Sequence, residues 1–368
     1  MIGEASGRAA RAGGITDGGV VTFGETMLLL VGRGTGTVAD LGAMRVDTGG
    51  AESNTAIGLA RLHVPVTWVG RVGADPAGDR VLRDVRRAGV TTVAITDTDR
   101  STGLMMKERL PDGRTRVTYH RRGSAGSALE PADLPDGLVE RAALLHLTGI
   151  TLALSDTARD TVHAALDRAE GSGVPVSFDV NHRPKLIADA AGRERYRTVA
   201  RRSSIVFAGD DEARLVLDLP HRDDDEPDLA LRLADLASGH AVVKMGSRGA
   251  VVAVDGEVLH RAATPVHVVD PVGAGDAFVA AYLAARLRAD PPARALDLAA
   301  EAGALACTVD GDWHSLPDAD EIAAEPAEPR RVPSTADRTD AQPGPADLPG
   351  GRPIERGPGS VVHDRVDR

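Results

Sequence analysis

Short runs of β-branched and aliphatic residues alternate with longer amphipathic stretches along most of the chain. "GVVTFG" and "VTWVGRVG" are apolar and closed by glycine, which predicts buried strands. "SNTAIGLARLHV" and "AGDRVLRDVRRAGV" carry apolar positions at helical spacing and end near proline or glycine. Further on, "AALLHLTGI", "VPVSFDVN", "SSIVFAG", "HAVVKMG" and "GAVVAVDG" repeat the strand pattern, with helical stretches such as "SDTARDTVHAALDRAEGSG" between several of them. Strands alternating with helices predict an α/β protein whose mainly parallel central sheet is flanked by helices on both faces. Two segments break the alternation, "LLLVGRGTGTVADLGAMRVDTGG" and "TGLMMKERLPDGRTRVTYHRR". The second places a "PDG" turn between two extended runs, a hairpin signal. A small β-sheet lid from about 26–48 and 101–122 is therefore expected over one end of a domain spanning 19–318.

The ends read differently. Residues 1–18 are small, polar and glycine-rich, and are expected to be a flexible extension. Residues 319–368 carry proline or glycine every few positions and few large apolar side chains, so a disordered tail is expected there. No internal repeat is visible.

Composition narrows the partners. A formal net charge of −11 disfavours nucleic acid and anionic membrane surfaces. Any anionic substrate then needs locally placed cations, and with lysine confined to Lys107, Lys185 and Lys244 these are mostly arginines. The single Cys307 excludes an internal disulfide and fits a reducing cytoplasm; within "EAGALACTV" it reads as a small buried hydrophobe. The first residues lack an apolar core of signal-peptide type, and no stretch approaches the roughly 20 apolar residues of a membrane span.

The chemistry concentrates in "DPVGAGDAFVAAYL". Glycines at the start of a helix leave backbone N–H groups and the positive dipole end free for a phosphate or oxyanion. The third glycine of a dinucleotide fingerprint is missing and the loop comes late in the chain. No G-x-x-x-x-G-K-[ST] loop and no DFG occur, and the H-R-D at 221–223 is followed by acids rather than by the L-x-x-x-N of the protein-kinase signature. Asp276 at the mouth of such an anion hole is placed to orient a hydroxyl and accept its proton. A capped helix with an acid in its first turn would use the same residues.

"DPVGAGDAF" and "GGAESNTAIGLARLH", roughly 220 residues apart and in this order, resemble the two signatures of the PfkB, or ribokinase-like, carbohydrate kinases. The resemblance covers roughly residues 20 to 317. It implies the ribokinase-like fold and phosphoryl transfer from ATP, with Mg²⁺, to a primary hydroxyl. Asp276 would be the base, and the amides of Gly273, Ala274 and Gly275 would stabilise the transferring group. Within the family, "YHRRGSAGSAL", "LHLTGITLALS" and "SFDVNHR" look most like 2-keto-3-deoxygluconate kinases. That likeness carries acceptor binding to Tyr119, His120, Arg121 and Arg183, to Gly50, Ala51, Glu52 and Asn54 of the first signature, and to Asp312. Planar guanidinium groups suit the carboxylate of a sugar acid. Met105 stands where that subfamily usually has Tyr, and His120 replaces a second Tyr. "KMGSRGA" looks like the segment beside the nucleotide, which assigns Lys244, Gly246, Ser247 and Gly249 to ATP. "FAGDDEARLVL" resembles the region whose Glu, here Glu212, organises Mg²⁺ and phosphates, with Gly209 in place of its Asn or Ser. Ala300 stands where related kinases present an Asn to the nucleotide. Asp310, Asp312 and His314 have a spacing that matches no strong metal template, and residues 221–228 read as a solvated acidic loop. A homo-oligomer is expected. Other readings are a fructose or different keto-sugar kinase, and a sugar-binding protein of the same fold without turnover.

Overall fold

The computed structural model describes residues 18–187, 190–220, 225–322 and 330–331. Seven strands make the parallel part of a large sheet: β1 (Val20–Phe23), β4 (Val66–Gly73), β5 (Thr91–Asp97), β8 (Leu144–Thr148), β9 (Val176–Asp179), β10 (Ile205–Gly209) and β11 (His240–Lys244). Their spatial order is β11-β10-β9-β8-β1-β4-β5, so the order reverses between β1 and β8. Loops leaving the carboxyl ends of β1 and β8 diverge there and open a crevice, the usual ligand position in such sheets.

Beyond β11 the sheet turns antiparallel through β12 (Ala250–Val254), β13 (Glu257–Arg261) and the two-residue β14 (Arg330–Arg331). "GAVVAVDG" is thus the return strand of a hairpin, since the short turn after β11 leaves no room for a crossover helix. Arg330 and Arg331 lie within the segment expected to be disordered, and pair with His260 and Leu259. The expected extension before residue 18, most of that tail and residues 221–224 of the acidic run lie outside the described residues.

Alternating side chains bury both faces of the sheet. Val20, Trp68, Phe207, Val242 and Val252 pack with helices α1 (Ala51–Arg61), α2 (Pro76–Arg87), α8 (Ala274–Leu287) and α9 (Pro292–Ala306). Val21, Val69, Val206, Ala241 and Val243, one position along, pack with α4 (Asp156–Ser172), α5 (Ala190–Arg201), α6 (Asp210–Leu217) and α7 (Glu226–Leu236) on the other side. This explains the nearly unbroken apolar runs in the sequence. Helix α3 (Gly149–Leu154) follows β8 directly, its first turn capped by Thr148 Oγ1.

A separate four-stranded sheet has the order β3-β2-β6-β7, with β2 (Met27–Thr35), β3 (Met44–Gly49), β6 (Leu104–Arg109) and β7 (Thr115–His120). β6 and β7 form the hairpin around "PDG", and β2 joins β6 in parallel. Met27, Leu29, Val31 and Met105 form its own apolar cluster, with Val117 against it. Met27, Leu29, Met105 and Val117 face a cavity shared with the main sheet.

Candidate active site

That cavity, about 460 Å³, lies at the reversal point of strand order. Its walls come from loops that follow β1, β8, β9, β10 and β11, from the small sheet, and from the start of α8.

Helix α8 begins at Gly273, whose φ of +83° is left-handed and whose missing Cβ leaves room for the Asp312 carbonyl. Ala274 N–H donates to Pro271 O at 3.3 Å. The amides of Gly273, Gly275 and Asp276 make no backbone hydrogen bond among the described residues. The start of α8 thus presents the Gly273, Gly275 and Asp276 amides as an open cradle beside the cavity, while the Ala274 amide is engaged by Pro271.

Asp276 is buried, and Asn54 Nδ2 donates to its Oδ2 at 2.9 Å. Burial pushes its carboxyl up to about 7; the Asn54 hydrogen bond, Lys244 and Arg183 oppose the shift, while nearby Asp179 adds to it. The sequence signature around Asn54 thus serves Asp276: Gly50 and the start of α1 bring Asn54 across the cleft. At Gly50 any side chain would strike the Glu25 carbonyl.

Lys244, at the end of β11, donates to both carboxylate oxygens of Asp179 at 2.8 and 2.9 Å. Desolvation lowers its proton affinity, but Asp179, Glu212 and Asp276 outweigh this and hold the ammonium above its ordinary value. A Cβ at Gly275 would lie 3.7 Å from Nζ, so the ammonium stands beside the amide cradle. Glu212 accepts from His182 N–H at 2.7 Å and Gly209 N–H at 2.6 Å, which ties the ends of β9 and β10 together.

Across the cavity mouth towards the small sheet, Asp312 is buried, and burial raises its carboxyl to about 6 despite Lys107, whose Nζ lies 3.6 Å away. Lys107, from β6, also pairs with Asp270. Arg183 Nη1 donates only to the carbonyls of His182 at 3.0 Å and Asn181 at 3.5 Å, with no carboxylate partner among the described residues. Arg121 differs. Its Nε and Nη2 both lie 2.6 Å from Glu25 Oε2, and its guanidinium stands over the Tyr119 ring.

Of the residues singled out in the sequence, Gly50, Ala51, Asn54, Tyr119, Arg121, Arg183, Glu212, Lys244, Gly273, Gly275, Asp276 and Asp312 line the cavity. Glu52 does not. It is buried beneath α3, where Thr148 and Thr151 donate to its Oε1 at 2.5 Å, so it braces the crevice floor. His120 is exposed at the end of β7 and lies off the cavity wall, because successive strand residues face opposite ways. Gly246, Ser247 and Gly249 form a turn that does not reach the cavity. A side chain at Gly249 would meet the Arg261 carbonyl, a packing reason for that glycine. Asp310 pairs with Arg45 at 3.3 Å and His314 with Asp47 at 3.2 Å, and no group of three metal-ligating side chains occurs among the described residues. Cys307 is half-buried and donates to Gly303 O.

Glu25, Lys107, Asp179 and Asn181 complete the site and were not singled out. Glu25, Asp179 and Asn181 stand at or just past the ends of parallel strands, a position that could have marked them.

A doubly wound sheet, an amide cradle on a helix start and a buried acid of raised proton affinity define a phosphotransferase-type site. The chain belongs to the pfkB family of carbohydrate kinases, whose pattern matches residues 18–319. It is 34% identical to a 2-dehydro-3-deoxygalactonokinase of Haloferax volcanii over 80% of this chain and 92% of that protein. It is 35% identical to a 2-dehydro-3-deoxygluconokinase of Thermoproteus tenax over 81% of this chain and 91% of the relative. The crystal structure of a 2-dehydro-3-deoxygluconokinase from Thermotoga maritima superposes with a TM-score of 0.77 at 25% identity, covering 82% and 96% of the two chains.

Proposed function

We propose that this sugar kinase transfers a phosphoryl group from ATP to the primary hydroxyl of a six-carbon sugar acid, 2-keto-3-deoxygluconate, giving the 6-phosphate. The observation that carries this reading is Arg183, a guanidinium at the cavity wall without a carboxylate partner among the described residues, opposite a poised Asp276. A sugar-acid carboxylate pairs with such a guanidinium, a partner that fructose does not offer.

In this reading the acceptor lies between the small sheet and α1, with Asp312 taking a sugar hydroxyl. Asp276 accepts the proton of the attacking hydroxyl, and Asn54 fixes the carboxylate's orientation. The amides of Gly273, Gly275 and Asp276, with Lys244 beside them, meet the charge of the transferring group. Positioning and electrostatics supply most of the acceleration in such reactions. ATP enters from the side of β10 and β11. Mg²⁺ usually keeps waters and phosphate oxygens as ligands with one or two carboxylates. Asp179 and Glu212 supply carboxylates of that kind at this end, and the ion would neutralise phosphate charge there. The similarity to a galactonokinase leaves the 4-epimer, 2-keto-3-deoxygalactonate, as a second acceptor.

An ATP-coupled assay across both epimers and fructose tests the proposal. The acids are expected to exceed fructose in kcat/KM. Arg183→Lys should cut the acids by roughly 10- to 150-fold, the worth of a charge-assisted hydrogen bond, and leave the KM for ATP within about twofold. A wild-type preference for fructose would overturn the sugar-acid assignment.

A further inference from the structure

Glu25 follows β1 directly and is only 3% exposed, yet its side chain helps form the acceptor cavity. Its place is built for it: a Cβ at Gly103 or Gly126 would collide with its side chain. One carboxylate oxygen receives Arg121 Nε and Nη2, and the other receives Ser124 Oγ. Arg121 Nη1 hydrogen-bonds no protein group among the described residues. A guanidinium can be gripped along its Nε edge or at its two terminal nitrogens. Glu25 occupies the first and leaves the second for a ligand.

We infer that Glu25 is a specificity-determining residue: it cancels the charge of Arg121 and turns that arginine into an oriented, neutral-pair donor for sugar hydroxyls, leaving recognition of the acid's charge to Arg183. The two arginines look equivalent in sequence, but only one carries net charge into the pocket. The second half of the statement rests on the sugar-acid reading above; the first rests on the pair alone.

The experiment is calorimetric binding of 2-keto-3-deoxygluconate and fructose to the full chain, which needs no turnover. Glu25→Gln keeps the shape and leaves Arg121 charged, so the acid-to-fructose affinity ratio should rise about tenfold, typical of one added close charge at high effective dielectric. The double variant Glu25→Gln/Arg121→Gln removes the pair without changing net charge, and its ratio should stay within about threefold of wild type. It also decides the matter if the single variant does not fold. A ratio that is unchanged or lower in Glu25→Gln shows that Glu25 does not cancel Arg121, a collapse in the double variant shows that Arg121 itself holds the carboxylate, and either overturns the inference. A wild-type protein that binds fructose more tightly defeats the sugar-acid reading alone, because the ratio must still rise in Glu25→Gln.

Discussion

At the scale of the residue, burial gives Asp276 the proton affinity that its proposed role as base requires near neutral pH. An exposed aspartate would be too weakly basic, and burial corrects this to about 7. The same shift costs stability. Because the folded carboxyl binds its proton more tightly than the unfolded one, this group destabilises the fold increasingly as pH rises from about 4 to about 7. Asp276→Asn should therefore lower kcat by roughly 10²–10⁴ and raise the unfolding free energy at pH 8 by about 3–5 kcal/mol, with no gain near pH 4. Paired urea titrations at the two pH values would show it, and equal stability changes at both would refute the burial argument. For the wild type, kcat/KM should climb with pH through about 7. Asp276 was legible in the sequence because glycine, helix start and acid are adjacent. Its partnership with Asn54 was not, since the two meet only when α1 and α8 pack together.

At the scale of the element, the small sheet is fastened to the loop before α8 by β6. Lys107 pairs with Asp270, and Arg109 Nη2 donates to Val269 O at 3.2 Å. Lys107 is 6% exposed, so removing it leaves Asp270 and Asp312 buried without their cation. Lys107→Met should cost about 3–5 kcal/mol, and adding Asp270→Asn should recover part of the loss in a double-mutant cycle. A loss below about 1 kcal/mol would mean that the pair is solvated in solution. The hairpin itself was readable from "PDG" between extended runs. What escaped was the parallel partnership of β2 with β6, which no local pattern encodes, whereas the turn from β11 into β12 was readable from the glycines of "KMGSRGA".

At the scale of the whole molecule, the cavity sits at the centre of the sheet order and an edge strand at its margin. Among the described residues, β13 is paired along its outer edge by Arg330 and Arg331 alone. Ending the chain after Ile322 should leave kcat/KM within about twofold yet expose a pairing edge, read as increased light scattering at high protein concentration. A large fall in activity without aggregation would tie the removed segment to the site instead. The small sheet has a different consequence, one of inheritance. Met105, Lys107, Tyr119, Arg121 and Ser124 arrive in one contiguous stretch, so a single crossover between related genes could import a new acceptor pocket in one event. Glu25 lies outside that stretch, eighty residues upstream of Met105 by sequence number. A hybrid that receives the hairpin but not the matching residue at position 25 inherits an arginine with the wrong counter-charge, and with it an altered diet of sugars.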